Sequence, residues 1–92
     1  MSRFKDAVTE AVFNQSRPKG FPADLFRSAR RKLEAVYAAT SLEDLKLPPG
    51  NRLEALTGDR KGQLSIRVNS QYRVCFVWAG TQAERIEIVD YH

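Results

Sequence analysis

Hydrophobic residues in the first half of the chain are spaced as in amphipathic helices. Val8 and Val12 lie one turn apart after Asp6, whose carboxylate can cap a helix, so a short helix is predicted over residues 7–15. A second helix is predicted over residues 22–39, because Pro22 suits a first helical turn. Its apolar stripe repeats every three or four positions and consists of Leu25, Phe26, Ala29, Leu33, Val36 and Tyr37.

Beyond residue 50 the period changes from helical to alternating, which is typical of β-strands. The alternation predicts strands over residues 63–68, 72–78 and 84–91, with a shorter and less regular candidate over residues 53–56. Residues 3–5 are a further candidate, for an edge strand. This order of elements indicates a two-layer α+β fold, with two N-terminal helices packed on an antiparallel sheet of three to five strands.

Composition indicates a single globular domain that spans residues 1–92. Hydrophobic residues make up 42% of the chain, too many for a disordered segment, and no apolar run approaches the ~20 residues of a membrane span. The first residues carry charges where a secretory signal is apolar, so a cytoplasmic location is expected. One cysteine and one histidine exclude an internal disulfide and argue against a zinc site, and no cofactor is predicted.

An excess of positive charge makes an anionic partner plausible. Fifteen basic and eleven acidic residues give a formal net charge of +4. Part of this charge lies on the second predicted helix, largely away from its apolar stripe, at Arg27, Arg30, Arg31 and Lys32. These residues form either a solvated helix face or a surface for an acidic protein or an RNA.

The turn between the two central predicted strands, at residues 69–71, places two arginines on one face of the sheet. If Val68 faces Tyr72 in the core, Arg67 lies directly opposite Arg73 on the other, helix-free face. Like charges paired across two strands destabilise a sheet, so the pair points to an anionic ligand. The alternative is that two exposed arginines are simply solvated.

The last predicted strand brings further polar groups to the same end of that face. Ile86 and Ile88 belong in the core, so Tyr91 falls on the arginine face, with Asp90 and His92 at the end of the strand. Guanidinium, phenol and imidazole groups together suit a phosphodiester that is held and cut. A metal-dependent nuclease normally needs clustered carboxylates, and in this sequence they are scattered.

Three other basic residues, Arg52, Arg60 and Lys61, lie beside glycines in predicted loops. They are interpreted either as contacts to an RNA backbone or as ordinary turn charges. Cys75 and Trp78 are interpreted as packing residues.

The second half of the sequence resembles the HigB toxins of the RelE superfamily. The resemblance rests on an ordered series of segments that spans about half the chain: PPGNRLEAL at 48–56, GDRKG at 58–62, SIRVN at 65–69, QYRVCFVW at 71–78 and EIVDYH at 87–92. The upstream segment AATSLEDL at 38–45 is also similar. Tyr72 departs from the pattern, since a tryptophan is more frequent there, but the position stays aromatic.

The resemblance implies a RelE-like fold and cleavage of messenger RNA in the decoding site of the small ribosomal subunit. It also implies a HigA-type helix-turn-helix antitoxin that neutralises the toxin and carries it to operator DNA. Matched by motif, the catalytic residues would be Arg67, Arg73, Asp90, Tyr91 and His92, and the RNA-binding residues Arg52, Arg60 and Lys61.

The chemistry expected of this set is metal-independent transesterification by the ribose 2′-hydroxyl. Arg67 and Arg73 would hold the phosphate. His92 is the best acid–base candidate, because an imidazole with a pKa of about 6.5 both accepts and donates protons at neutral pH, while Asp90 is the other candidate. The alternative function is that of a non-catalytic basic module that binds RNA or operator DNA.

Overall fold

Two helices and a four-stranded antiparallel sheet make up the fold. It was obtained as a computed structural model that describes residues 2–91. The helices are α1 (Ala7–Phe13) and α2 (Ala23–Ala38), and the strands are β1 (Glu54–Ala55), β2 (Leu64–Arg67), β3 (Tyr72–Ala79) and β4 (Gln82–Asp90). The strands lie in the order β1-β2-β3-β4, so each pairs with its neighbour in sequence. The predicted α+β architecture is confirmed.

The helix boundaries follow from local chemistry. The Asp6 carboxylate accepts a hydrogen bond from the Thr9 amide at 2.7 Å and so caps α1, as predicted. Gln15 has a positive φ of 66°, and α1 ends before it, two residues earlier than predicted. Pro22 is the extended cap residue of α2 and not part of its first turn. No helix in the described part of the chain is both long and apolar enough to cross a membrane.

The core lies between α2 and one face of the sheet. The apolar stripe of α2 contributes Leu25, Ala29, Leu33 and Val36, and all four are buried. The sheet contributes residues that are fully buried at alternate positions of its three long strands, namely Ile66, Val74, Phe76 and Ile86. Trp78 packs against this core, as predicted. Since the helices cover this face only, groups on the other face are available to a ligand or to loops.

A β-bulge changes which side chains of β4 face the core. Val74 pairs with Ile88 as the alternation predicts, but the register shifts between Cys75 and Val77. Arg85, with φ 52°, is the extra residue. Because of this insertion Ala83 faces the core and is fully buried. The strand begins at residue 82 and not at residue 84.

The N-terminal segment lies along β4. Residues 3–5 do not form the predicted edge strand; instead Phe4 makes one parallel bridge with Ile86. The Lys5 amide donates to the Ile86 carbonyl, and the Ile86 amide donates to the Arg3 carbonyl, both at 2.9 Å. These bonds fix Lys5 beside the outer face of β4.

Candidate active site

The hairpin between β2 and β3 has the predicted register. Arg67 pairs with Arg73 across the two strands. The side-chain oxygen of Asn69 accepts hydrogen bonds from the amides of Gln71 at 2.9 Å and Tyr72 at 2.7 Å, which closes the turn locally. The turn therefore keeps two guanidinium groups on the face that the helices leave uncovered.

Arg73 is buried, so the alternative of a solvated arginine is wrong for this residue. Its side chain bonds several elements at once. Nε donates to the Ser65 hydroxyl at 2.7 Å, and Nη2 donates to the Arg52 carbonyl at 2.7 Å. Nη2 also lies 3.2 Å from a carboxylate oxygen of Glu54. The acceptors come from β1, β2 and the loop before them, which alternation along one strand does not reveal.

A buried asparagine fixes the loop that supports Arg73. Asn51 donates from Nδ2 to two backbone carbonyls of the preceding turn at 3.2 and 3.1 Å, and Lys32 on α2 donates to its Oδ1. Burial, with repulsion from Arg31, lowers the pKa of the Lys32 ammonium. The next residue, Arg52, has left-handed backbone angles (φ 47°, ψ 57°). The shape of this turn is thus set from inside, and it turns the Arg52 carbonyl toward Arg73.

Three arginines and a tyrosine line one open cleft of about 290 Å³ at this end of the sheet. Arg52, Arg67, Arg73 and Tyr91 contribute to its walls, together with Asn69, Ser70 and Gln71. Arg67 is half-buried, and its Nε donates to the Asn69 carbonyl at 3.0 Å. The Arg73 guanidinium carbon lies 6.0 Å from the centre of the Tyr91 ring. Such a set of cations and donors is suited to a phosphate group.

A second hollow, of about 460 Å³, adjoins the first and is lined by Arg60, Val89, Asp90 and Tyr91. Tyr91 borders both hollows. The Asp90 carboxylate accepts a hydrogen bond from Nε2 of Gln71 at 3.2 Å, which fixes it at the end of β4. A carboxylate thus stands next to a cationic cleft, bound to Gln71 of the cleft wall.

The helix-free face is less open than expected. The loop over residues 57–62 crosses it, since Arg60 precedes β2 but its Nη2 lies 3.6 Å from Glu87 on β4. Cys75 on β3, which pairs with Glu87 of β4, is fully buried on this face. Burial raises the pKa of the Cys75 thiol, which agrees with its interpretation as a packing residue.

The predicted residues fall into three groups. Arg52, Arg67, Arg73 and Tyr91 meet in the first cleft, and Arg60 and Asp90 meet Tyr91 in the second. Lys61 is exposed next to Arg60 and lines neither hollow. His92 lies outside the described residues.

Sequence reasoning missed the residues that hold this site. Ser65, Glu54 and Glu87 face the same side of the sheet as Arg73 and contact the arginines. The alternation of β2 contains a signal for Ser65, which lies two positions before Arg67. No local pattern points to Glu54 or Glu87, because their partners are distant in sequence.

Comparison of the sequence with known proteins places this chain in a family. Residues 2–92 match the model of the HigB-like toxin family, described as the RelE-like toxin of type II toxin-antitoxin system HigB. Toxin HigB-1 of Vibrio cholerae is 45% identical over 76 residues, which cover 82% of this chain and 80% of that protein. Endoribonuclease HigB of Proteus vulgaris is 29% identical over 89 residues, covering 97% and 96% of the two chains. The chain therefore belongs to the RelE-like HigB toxins of type II toxin-antitoxin systems.

Proposed function

We propose that this protein is an endoribonuclease toxin that inhibits translation by cleaving messenger RNA in the decoding site of the ribosome. The observation that carries the proposal is the cleft in which Arg52, Arg67, Arg73 and Tyr91 meet. The name of the Proteus vulgaris relative supports ribonuclease activity. We place the protein in the cytoplasm, with a HigA-type helix-turn-helix antitoxin that neutralises it and links it to operator DNA.

The proposed reaction is a metal-independent transesterification. The ribose 2′-oxygen attacks the adjacent phosphorus and loses its proton to a base, while the bond from phosphorus to the 5′-oxygen breaks. A proton then passes to the departing 5′-oxygen. The products are a 2′,3′-cyclic phosphate and a 5′-hydroxyl end.

The arginines stabilise the charge that develops on the phosphate oxygens. Arg67 and Arg73 present forked donors that suit the two non-bridging oxygens. Because Ser65 and Arg52 hold Arg73 in place, little reorganisation is needed when the phosphate arrives. Arg67 is tethered only by its bond to Asn69 among the contacts within residues 2–91, so it can follow the substrate.

We assign proton transfer to Asp90 and His92. Asp90 lies in the second hollow beside Tyr91 and is bound to Gln71 of the first cleft, and we assign to it the role of accepting or relaying a proton. We propose His92 as its partner, since an imidazole titrates near neutral pH. Asp90→Asn and His92→Ala should each strongly lower kcat, since each removes a group proposed to transfer a proton.

The test is cleavage of a defined messenger RNA in a purified translation reaction, with protein stripped of metal beforehand. We expect cyclic phosphate ends, a strong loss of cleavage in Arg67→Ala, and full activity in Arg17→Ala, which removes the same charge from the exposed loop after α1. Products with 3′-hydroxyl ends would contradict the mechanism. RNA binding without cleavage would favour the alternative, a non-catalytic basic module.

A further inference from the structure

A buried carboxylate lies on the face that we assign to phosphate binding. Glu87 is 8% exposed and pairs with Cys75 across β3 and β4. One of its oxygens lies 2.9 Å from Nζ of Lys5, and the other lies 3.6 Å from Nη2 of Arg60. Two cations of different segments thus converge on a single anion.

By its charge alone, this carboxylate should weaken the binding of RNA to a nuclease. It repels the substrate phosphates, and it neutralises part of the positive charge of Arg60, which would otherwise attract them. We propose that Glu87 is a positioning residue, which holds Arg60 in the second hollow beside Tyr91 so that Arg60 meets the RNA backbone. This inference rests on the proposed ribonuclease function and deepens it.

Arg60 needs such an anchor because it lies at the tip of a loop. The loop is closed at its base, where the Leu56 amide donates to the Gln63 carbonyl at 2.9 Å. Its tip is a short 3-10 turn over Gly58–Arg60. The guanidinium of Arg60 bonds Gln63 within the loop at 3.1 Å and reaches the sheet at Glu87. Without Glu87, this long side chain would regain rotamer freedom and leave the hollow.

Lys5 plays a different part in the same cluster. Its backbone is already fixed by the hydrogen bond to Ile86, and its side chain is 41% exposed. It lines neither of the two hollows. Lys5→Gln therefore breaks the shorter contact to Glu87 but leaves Arg60 anchored, which makes it a matched control.

The experiment measures KM and kcat for messenger RNA cleavage in Glu87→Gln and Glu87→Asp. The field of the carboxylate alone predicts that Glu87→Gln lowers KM, since one repulsive charge is removed. Positioning predicts the opposite: a rise in KM of about three- to tenfold, the size expected when one ordinary hydrogen bond to the RNA is missing, with kcat nearly unchanged. Glu87→Asp keeps the charge but moves it away from Arg60, because the aspartate side chain is shorter. KM should therefore rise in this variant too. An unchanged or lowered KM in both variants overturns the proposal.

A double-mutant cycle shows whether Glu87 acts through Arg60. In the Arg60→Gln background, Glu87→Gln should not raise KM further, whereas additive increases would overturn the proposal. Lys5→Gln should change KM by less than about twofold, as for a rim charge. Amide hydrogen exchange gives a readout that does not need activity: residues 57–62 should lose protection in Glu87→Gln but not in Lys5→Gln. If the wild type fails to cleave RNA, the proposed function falls, and hydrogen exchange still decides the positioning role.

Discussion

Replacing Arg73 with alanine is expected to destabilise the fold, whereas the same change at its cross-strand partner Arg67 is not. Arg73 makes hydrogen bonds of 2.7 Å to both Ser65 and Arg52, and an ion pair of 3.2 Å to Glu54. Within residues 2–91, Arg67 makes one side-chain hydrogen bond, to a backbone carbonyl in the exposed turn. The two substitutions remove the same charge from the same cross-strand pair, so their difference isolates the buried interactions of Arg73.

The magnitude follows from the hydrogen bonds and the ion pair that Arg73→Ala removes. Leaving a buried hydrogen-bonding group without its partner costs about 1–3 kcal/mol. The Ser65 hydroxyl is fully buried, whereas the Arg52 carbonyl borders an open cleft that water can enter. The ion pair with Glu54, whose side chain is 56% exposed, adds at most about 1 kcal/mol. Removing the repulsion between Arg67 and Arg73 stabilises the fold by about a few tenths of a kcal/mol, which offsets part of this loss. We expect Arg73→Ala to lower the free energy of unfolding by about 2–4 kcal/mol and Arg67→Ala by less than about 0.5 kcal/mol.

Thermal unfolding followed by far-ultraviolet circular dichroism measures this difference. For a domain of this size, about 1 kcal/mol corresponds to about 4–8 °C in Tm, so Arg73→Ala should melt at least about 6 °C below Arg67→Ala. Equal melting temperatures would refute the prediction that the buried bonds of Arg73 stabilise the fold. Cleavage by Arg73→Ala is therefore to be compared with the wild type well below the melting temperature of the variant.

Three further outcomes are expected. Asn51→Ala should lower the free energy of unfolding by about 2–3 kcal/mol, since two carbonyls and the Lys32 ammonium lose their partner; an unchanged urea midpoint would contradict this. Cys75 should resist iodoacetamide at pH 8 until urea unfolds the protein, and rapid labelling of the native protein would contradict its burial. Because burial raises the pKa of its thiol, the free energy of unfolding should fall as the pH rises above the thiol pKa of the unfolded chain, about 8.5. Asp6→Ala should cost about 1 kcal/mol in a thermal melt through loss of the α1 cap, and Asp24→Ala, an exposed change on α2, serves as its control.

Local patterns predicted much of the fold because each depends on neighbours along the chain. The cap at Asp6, the apolar stripe of α2 and the alternation of β2 and β3 are properties of short segments, and the structure confirms them. The turn at residues 69–71 then set the register of β2 and β3. Counting residues outward from the turn was therefore enough to predict that Arg67 pairs with Arg73 across the two strands. Membership of the HigB toxins was also predicted from the ordered motifs, and the family match confirms it.

The tertiary structure decided how the site is held together. The bulge at Arg85 reverses the alternation of β4, and no local propensity marks that position in advance. Arg73 is buried because acceptors from β1, β2 and the turn after Asn51 meet around it, and Glu87 gathers cations from residues 5 and 60. These interactions join residues that are distant in sequence, and a guanidinium is stable out of water only where several acceptors converge. The sequence could therefore predict which arginines share a face, but only the packed chain determines which of them is held by several buried acceptors and which by one carbonyl of an exposed turn.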